Sequence, residues 1–246
     1  MKPEFRIVIP ARYASLRLPG KPLRKICGKP MIEWVYLAAR DAEATEVVVA
    51  TDDQGIADVV TAFGGSACLT DSEHRSGTDR ILEVTQKLGW SEDSIVVNLQ
   101  GDEPLMPPAN IVQVAQNLAS HDCAMATLHK RIDAATARDP NQVKLVQDKN
   151  GRALYFSRSM IPFDRGGAVD EYLGHIGIYA YRVGFLETFS SLPPCELELA
   201  ESLEQLRALC NGYAIHSDEA NASPGPGIDT EEDLVRATAI MKSKLA

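Results

Sequence analysis

The arrangement of apolar runs is the strongest constraint on this chain. Short β-branched stretches, FRIVIPA (5–11), EVVVATD (46–52), SIVVNLQ (94–100) and CAMATL (123–128), alternate through the first half with longer helical patterns. In 110–119, Ile111, Val114, Ala115 and Leu118 share one helical stripe, and 30–42 and 78–88 also read as helices. Strands that alternate with helices define βαβ units, and runs apolar at nearly every position are what parallel strands covered on both faces require. The expectation is an α/β domain on a parallel-dominated sheet. From about residue 141 the texture changes: 141–148, 174–182 and 211–219 read as strands of a mixed sheet, with 199–209 as one helix before the last.

In an open parallel sheet, ligands sit beyond the carboxyl ends of the strands. PARYASLRLPGK (10–21), ATDD (50–53) and LQGDEP (99–104) fall there. The first thirty residues hold eight basic side chains (Lys2, Arg6, Arg12, Arg17, Lys21, Arg24, Lys25, Lys29) and one acid, Glu4, against a net charge of −9. That asymmetry points to a small anion. A glycine-bearing turn with free N–H groups, plus Arg12, Arg17 and Lys21, suits a polyphosphate, although a solvated basic loop accounts for the same residues. The pattern G-x-x-x-x-G-K-[ST] is absent, so this is not a Walker loop. The acidic balance argues against a nucleic acid partner. No stretch reaches bilayer-spanning length and the amino terminus lacks a signal pattern, so a cytoplasmic location without a membrane partner is expected. Five cysteines, odd in number and never in a C-x-x-C pair, indicate neither a disulfide framework nor a zinc site.

Asp102, at the tip of an apolar strand and after Gly101, is placed either to hold Mg²⁺ over phosphates or to cap a helix. Asp229, in PGPGIDTEEDL (224–234), follows a Gly/Pro loop and precedes a helix; taken singly, capping explains it. Ser76, Gly77 and Thr78 form a polar turn that either reads the edge of a flat base or caps a helix.

The joint pattern is far more specific than its parts. Pro-Ala-Arg-Tyr-x-Ser-x-Arg-Leu-Pro-Gly-Lys-Pro-Leu, Ser76-Gly77-Thr78-Asp79-Arg80, Gln100-Gly101-Asp102-Glu103-Pro104, Tyr155-Phe156-Ser157-Arg158, His175-Ile176-Gly177-Ile178-Tyr179, Glu204-Gln205-Leu206-Arg207 and Gly227-Ile228-Asp229-Thr230 occur in that order. The chain resembles the 3-deoxy-manno-octulosonate (Kdo) cytidylyltransferases, from about Arg6 to the last helix. The resemblance implies a three-layer, Rossmann-like nucleotidyltransferase fold, with a mostly parallel sheet and a smaller mixed sheet that forms the sugar pocket and a homodimer interface. Within one domain, about 5–130 would bind nucleotide, about 131–225 would bind sugar and dimerise, and 226–246 would return to the first half. The implied reaction is Mg²⁺-dependent transfer of CMP from CTP to the anomeric hydroxyl of an eight-carbon 2-keto-3-deoxy sugar acid, releasing pyrophosphate, for lipopolysaccharide or capsule. By the same resemblance Arg12, Arg17 and Lys21 clamp the triphosphate, and Ser76, Gly77, Thr78 and Arg80 hold the cytidine end. Asp102 and Asp229 ligate Mg²⁺, while Gln100, Arg158, His175, Tyr179, Glu204 and Gln205 line the sugar pocket, with Arg158 on the sugar carboxylate.

This sequence departs from the family pattern at Gly174, where a basic residue is usual, and in the short loop before it. A missing cation leaves 8-amino-Kdo open as the acceptor beside Kdo. Further alternatives are a sialic-acid-type cytidylyltransferase and a catalytically silent nucleotide-sugar-binding protein.

Overall fold

Ile7, Val8 and Ile9 have no exposed surface: two face one layer of helices and the third faces the other. They belong to Phe5–Ala11 (β1), near the middle of a nine-stranded sheet. The computed structural model describes residues 2–14, 17–74 and 76–245; Ser15, Leu16 and Arg75 of the two polar loops quoted above lie outside them. After β1 come Lys25–Ile26 (β2) and Lys29–Pro30 (β3), Met31–Asp41 (α1), Glu46–Thr51 (β4), Gln54–Ala62 (α2), Ser66–Leu69 (β5), Gly77–Lys87 (α3), Ile95–Asn98 (β6), Pro108–Ser120 (α4) and Met125–Ile132 (β7). The second half adds Ala134–Ala137 (α5), Lys144–Gln147 (β8), Ala153–Ser157 (β9), Tyr172–Arg182 (β10), Val183–Ser191 (α6), Glu196–Glu201 (α7), Leu206–Cys210 (α8), Ile215–Glu219 (β11) and Glu231–Leu245 (α9).

The sheet order is β11-β7-β10-β6-β1-β4-β5. β1 pairs in parallel with β4 and β6, and β4 with β5, so these four strands all end at one edge. β10 enters antiparallel between β6 and β7. Its first half also carries β8 and, through it, β9 as a small antiparallel extension, and with β11 parallel to β7 the second half has the expected mixed pairing. Between Ile176 and Tyr179 the β10–β7 register shifts. The Thr127 hydroxyl bonds the Ile176 and Ile178 carbonyls there and anchors the bulge.

Two expectations are corrected. Residues 199–209 are not one helix: Ser202 takes a left-handed conformation (φ 51°) that ends α7, and a new helix starts at Leu206. Leu199 is therefore 68% exposed rather than core, and Glu204 and Gln205 stand in the turn. The same break brings Cys195 and Cys210 together as a disulfide that spacing alone did not indicate, leaving Cys27, Cys68 and Cys123 free.

The carboxyl-terminal segment is tied back onto the first half. The Asn110 amide donates to the Ala222 carbonyl (2.8 Å) and accepts from its N–H (3.0 Å), and Gln113 does the same for Glu219 and Asn221. Beyond that clamp, Leu234, Ala237 and Met241 of α9 pack with Leu18, Ile26, Met31 and Leu105. Among the described residues no helix is long and apolar enough to cross a membrane. Replacing the buried Asn110 by Ala strands two backbone groups, so Asn110→Ala is expected to cost about 1–3 kcal/mol in urea unfolding. A change below about 0.5 kcal/mol would show that this clamp does not hold the segment.

Candidate active site

Close backbone approach builds the site. A Cβ on Gly101 would stand 2.7 Å from the Pro10 carbonyl, so only glycine lets the 99–104 loop lie against the end of β1. The Ile228 N–H bonds the Asp102 carbonyl at 3.0 Å, and a Cβ on Gly225 would meet Leu105 at 2.5 Å, which seats the distant Gly/Pro loop on the same spot. Asp102 and Asp229 thereby converge on one ammonium: Lys21 Nζ lies 2.6 Å from Asp102 Oδ2 and 3.1 Å from Asp229 Oδ1. Arg17 reaches Asp229 Oδ1 at 3.0 Å. Burial works against the charge on Lys21, but the two carboxylates outweigh it and hold its pKa above the usual lysine value.

The helix-cap alternative for Asp229 is decided by its neighbours. Thr230 Oγ1 accepts from the Asp233 N–H, and Asp233 Oδ2 accepts from the N–H groups of Asp229 and Thr230. The start of α9 is satisfied without the Asp229 side chain, which stays free for Lys21 and Arg17. Pro107, not Asp102, precedes α4.

Three clefts meet at this point. The first, about 390 Å³, is lined by Arg12, Arg17 and Lys21 with Gly77, Asp102 and Asp229. The second, about 200 Å³, holds Thr78, Gln100, Tyr179, Glu204 and Gln205. The third, about 430 Å³, holds His175, Glu103 and Lys130. Gly77 and Gln100 line both the first and the second, and Asp102 and Asp229 line both the first and the third.

Most of the expected residues are thus brought together, with two corrections. Ser76 does cap α3, its Oγ accepting from the Asp79 N–H, while Thr78 Oγ1 donates to Glu204 Oε2 at 2.8 Å and ties the polar turn to the second cleft. Arg80 does not reach the cleft: its side chain is fully buried, ion-paired to Asp52 and bonded to Thr70 Oγ1, and it braces the loops from behind. Arg158 is not a free cation either. Its guanidinium donates to the Glu201, Pro140 and Ser202 carbonyls, and its N–H to Glu201 Oε2, so it fastens α7 to the sheet.

His175 lines the third cleft, its ring edge on Phe156 and its Nε2 3.0 Å from Thr127 Oγ1. Desolvation lowers its pKa to about 3, so the ring is neutral. Glu103, behind Asp102, is pushed up to about 8 by burial and by the Asp102 charge. Desolvation also raises Tyr179 and Tyr181, which keeps both phenols protonated, and raises Glu204 against its bonds from Thr78 and Ser76. Sequence reading overlooked Glu103 although it lies inside a quoted motif, and overlooked Asn98, Thr127 and Lys130. Asn98 accepts from Gln100 Nε2 at 3.1 Å and so orients it. Asn98 is the one polar residue of β6, and Thr127 and Lys130 stand on β7, whose residues 125–129 are all buried.

Folding favours the neutral His175 ring. That contribution is complete above pH 6.5, the unfolded value, and is lost as pH falls toward about 3. Relative to His175→Gln, the native protein is therefore expected to lose urea stability progressively below pH 6.5; a difference independent of pH would show that the ring is not held neutral.

A mostly parallel sheet with a basic first loop and paired acids beyond its strand ends defines a nucleotidyltransferase, and the cytidylyltransferase family model matches residues 6–217. The chain is 52% identical over 98% of its length to the whole of 3-deoxy-manno-octulosonate cytidylyltransferase 2 of Actinobacillus pleuropneumoniae serotype 5b. It is 53% identical over 99% of its length to all of the 3-deoxy-manno-octulosonate cytidylyltransferase of Pseudomonas fluorescens. The solved structure of a CMP:2-keto-3-deoxy-manno-octonic acid synthetase complexed with CTP superposes with a TM-score of 0.93 at 46% identity, covering 98% of this chain and 100% of that one. This chain belongs to the 3-deoxy-manno-octulosonate cytidylyltransferases, a family of nucleotidyltransferase enzymes. A glucose-1-phosphate thymidylyltransferase of Bacillus anthracis, at 17% identity and a TM-score of 0.68, shares the fold alone.

Proposed function

We propose that this protein transfers CMP from CTP to the anomeric hydroxyl of Kdo, releasing pyrophosphate, in the cytoplasm. The observation that carries the reading is the Lys21 ammonium held between Asp102 and Asp229 where the basic cleft opens onto the other two. Arg12, Arg17 and Lys21 offset the triphosphate charge, and Lys21 stabilises the charge that develops as pyrophosphate leaves. Gln100, oriented by Asn98, and Tyr179 are placed for the sugar hydroxyls at the junction. Thr78, joined to Glu204, couples the polar turn beside the nucleotide cleft to the sugar wall. Among the described residues no base stands out for the sugar hydroxyl, since His175 is tied to Thr127.

The donor set fits Mg²⁺. Two carboxylates already face a single cation, and Mg²⁺ takes one or two carboxylates, with phosphate oxygens and water completing its shell. Asp102 and Asp229 would hold it, and when bound it supplies positive charge over the phosphates and acidifies the sugar hydroxyl.

A second acceptor, 8-amino-Kdo, is favoured by the acceptor oxygens of the third cleft, where the Asp102 and Asp229 carboxylates and the buried Glu103 carboxyl could take an ammonium. The missing basic residue before His175 argues less: a side chain at position 174 would run into Ile132 and Gln142, with a Cβ 2.9 Å from Ile132 Cγ2. A homodimer is also proposed, supported by exposed Leu154, Phe163 and Leu199, all in the second half.

The test is pyrophosphate release by the purified protein with CTP and Mg²⁺, offering Kdo, 8-amino-Kdo and N-acetylneuraminate in parallel. Release with Kdo, reduced about 100-fold or more by Asp102→Asn, is expected. Strong preference for the amino sugar would establish the second reading, and no release with any acceptor would overturn both.

A further inference from the structure

A sugar acid brings a carboxylate into a partly desolvated cleft, and such a charge needs a cation or fixed donors. Among the described residues, Lys130 is the one lysine or arginine that lines the cleft beside Asp102 and Asp229. Arg158 is engaged by three backbone carbonyls, and the His175 ring, bonded to Thr127, is neutral. Lys21 and Arg17 are paired with Asp102 and Asp229 and face the nucleotide cleft.

Lys130 remains. It stands on β7 directly opposite Gly174 of β10, and its side chain lines the third cleft with Glu103 and His175. Among the described residues its ammonium makes no hydrogen bond or ion pair; its recorded interaction is the longer-range field that lowers the pKa of Glu103. Gly174 contributes no side chain beside it, and the space a Cβ would take is filled by Ile132 and Gln142. A cation without an ion-pair partner among the described residues, half-buried in a cleft whose other side chains are neutral apart from Asp102, Asp229 and the carboxyl of Glu103, is positioned to be neutralised by something that arrives.

We infer that Lys130 receives the carboxylate of the acceptor sugar and selects sugar acids over their neutral analogues. The assignment rests on the sugar-acid reading above. A charge-assisted contact from the lysine orients the acceptor by its acidic end, while Asp102 and Asp229 stay available at the reacting hydroxyl.

The experiment is steady-state pyrophosphate release by the full-length chain with CTP and Mg²⁺, comparing Kdo with its uncharged carboxamide in the native protein, Lys130→Met and Lys130→Arg. Lys130→Met is expected to raise KM for Kdo about ten- to a hundredfold while leaving KM for CTP unchanged, which also reports that the variant is folded. The native preference for Kdo over the carboxamide should collapse in Lys130→Met and be partly retained in Lys130→Arg. A KM for Kdo within about twofold of native would overturn the inference. So would an equal loss on Kdo and on the carboxamide, because Lys130 would then act only on its neighbour Glu103. If the native chain itself releases no pyrophosphate with Kdo but does with another class of acceptor, the sugar-acid reading fails, and this inference with it.

Discussion

Two carboxylates held close together repel, and in a half-buried setting that repulsion is weakly screened. Lys21 makes their proximity stable. It lies 81 residues before Asp102 and 208 before Asp229, so the ion triad is also the point where three remote segments of the chain are stitched together. The other local features serve that meeting. Gly101 lets one loop touch the end of β1, Gly225 lets another sit on Leu105, and Asn110 and Gln113 deliver the carboxyl-terminal segment to within reach. A nucleotidyltransferase needs this, because preorganised charge rather than a covalent nucleophile carries phosphoryl-type transfer.

The wall of the second and third clefts is built by a different device. β10 passes from the parallel sheet into the antiparallel extension, and the bulge anchored by Thr127 lies between His175, in the third cleft, and Tyr179, in the second, their rings 5.4 Å apart. Opposite them, the break at Ser202 turns Glu204 and Gln205 toward the sheet, where an unbroken helix would have carried them past it. Arg158 serves as a strut: by bonding the Glu201 and Ser202 carbonyls at the end of α7 and the Pro140 carbonyl before β8, it fixes the turn that presents those two residues.

The parallel strands were legible because burial on both faces leaves a one-dimensional trace, and β1 runs over residues 5–11 as its apolar pattern predicts. Asp102 was legible for a related reason, since an acid after a glycine at a strand end has little to do in a core, whereas Asp229 taken singly reads as a helix cap and was singled out by the resemblance. The roles of Arg80 and Arg158 were not. An arginine in a polar motif reads the same whether it faces a ligand or a carbonyl, and only the distances to Asp52 and to Glu201 distinguish the two. Lys130 was hidden in the same way, within a strand whose residues 125–129 are all buried.

By itself, the sequence determined the α/β class, the edge of the sheet at which a ligand sits, and the basic and acidic segments that would meet there. These follow from periodicity and from charge placed at strand ends, which are properties of neighbours along the chain. Tertiary structure alone decided that Asp229 faces Lys21 while Thr230 and Asp233 form the helix cap, that Cys195 and Cys210 join, that 199–209 breaks in two, and that Arg158 is spent on carbonyls while Lys130 has no hydrogen bond or ion pair among the described residues. Each of these is a competition between partners far apart in sequence for a single donor or acceptor, and it is settled by which atoms the packed sheet brings within about 3 Å of one another.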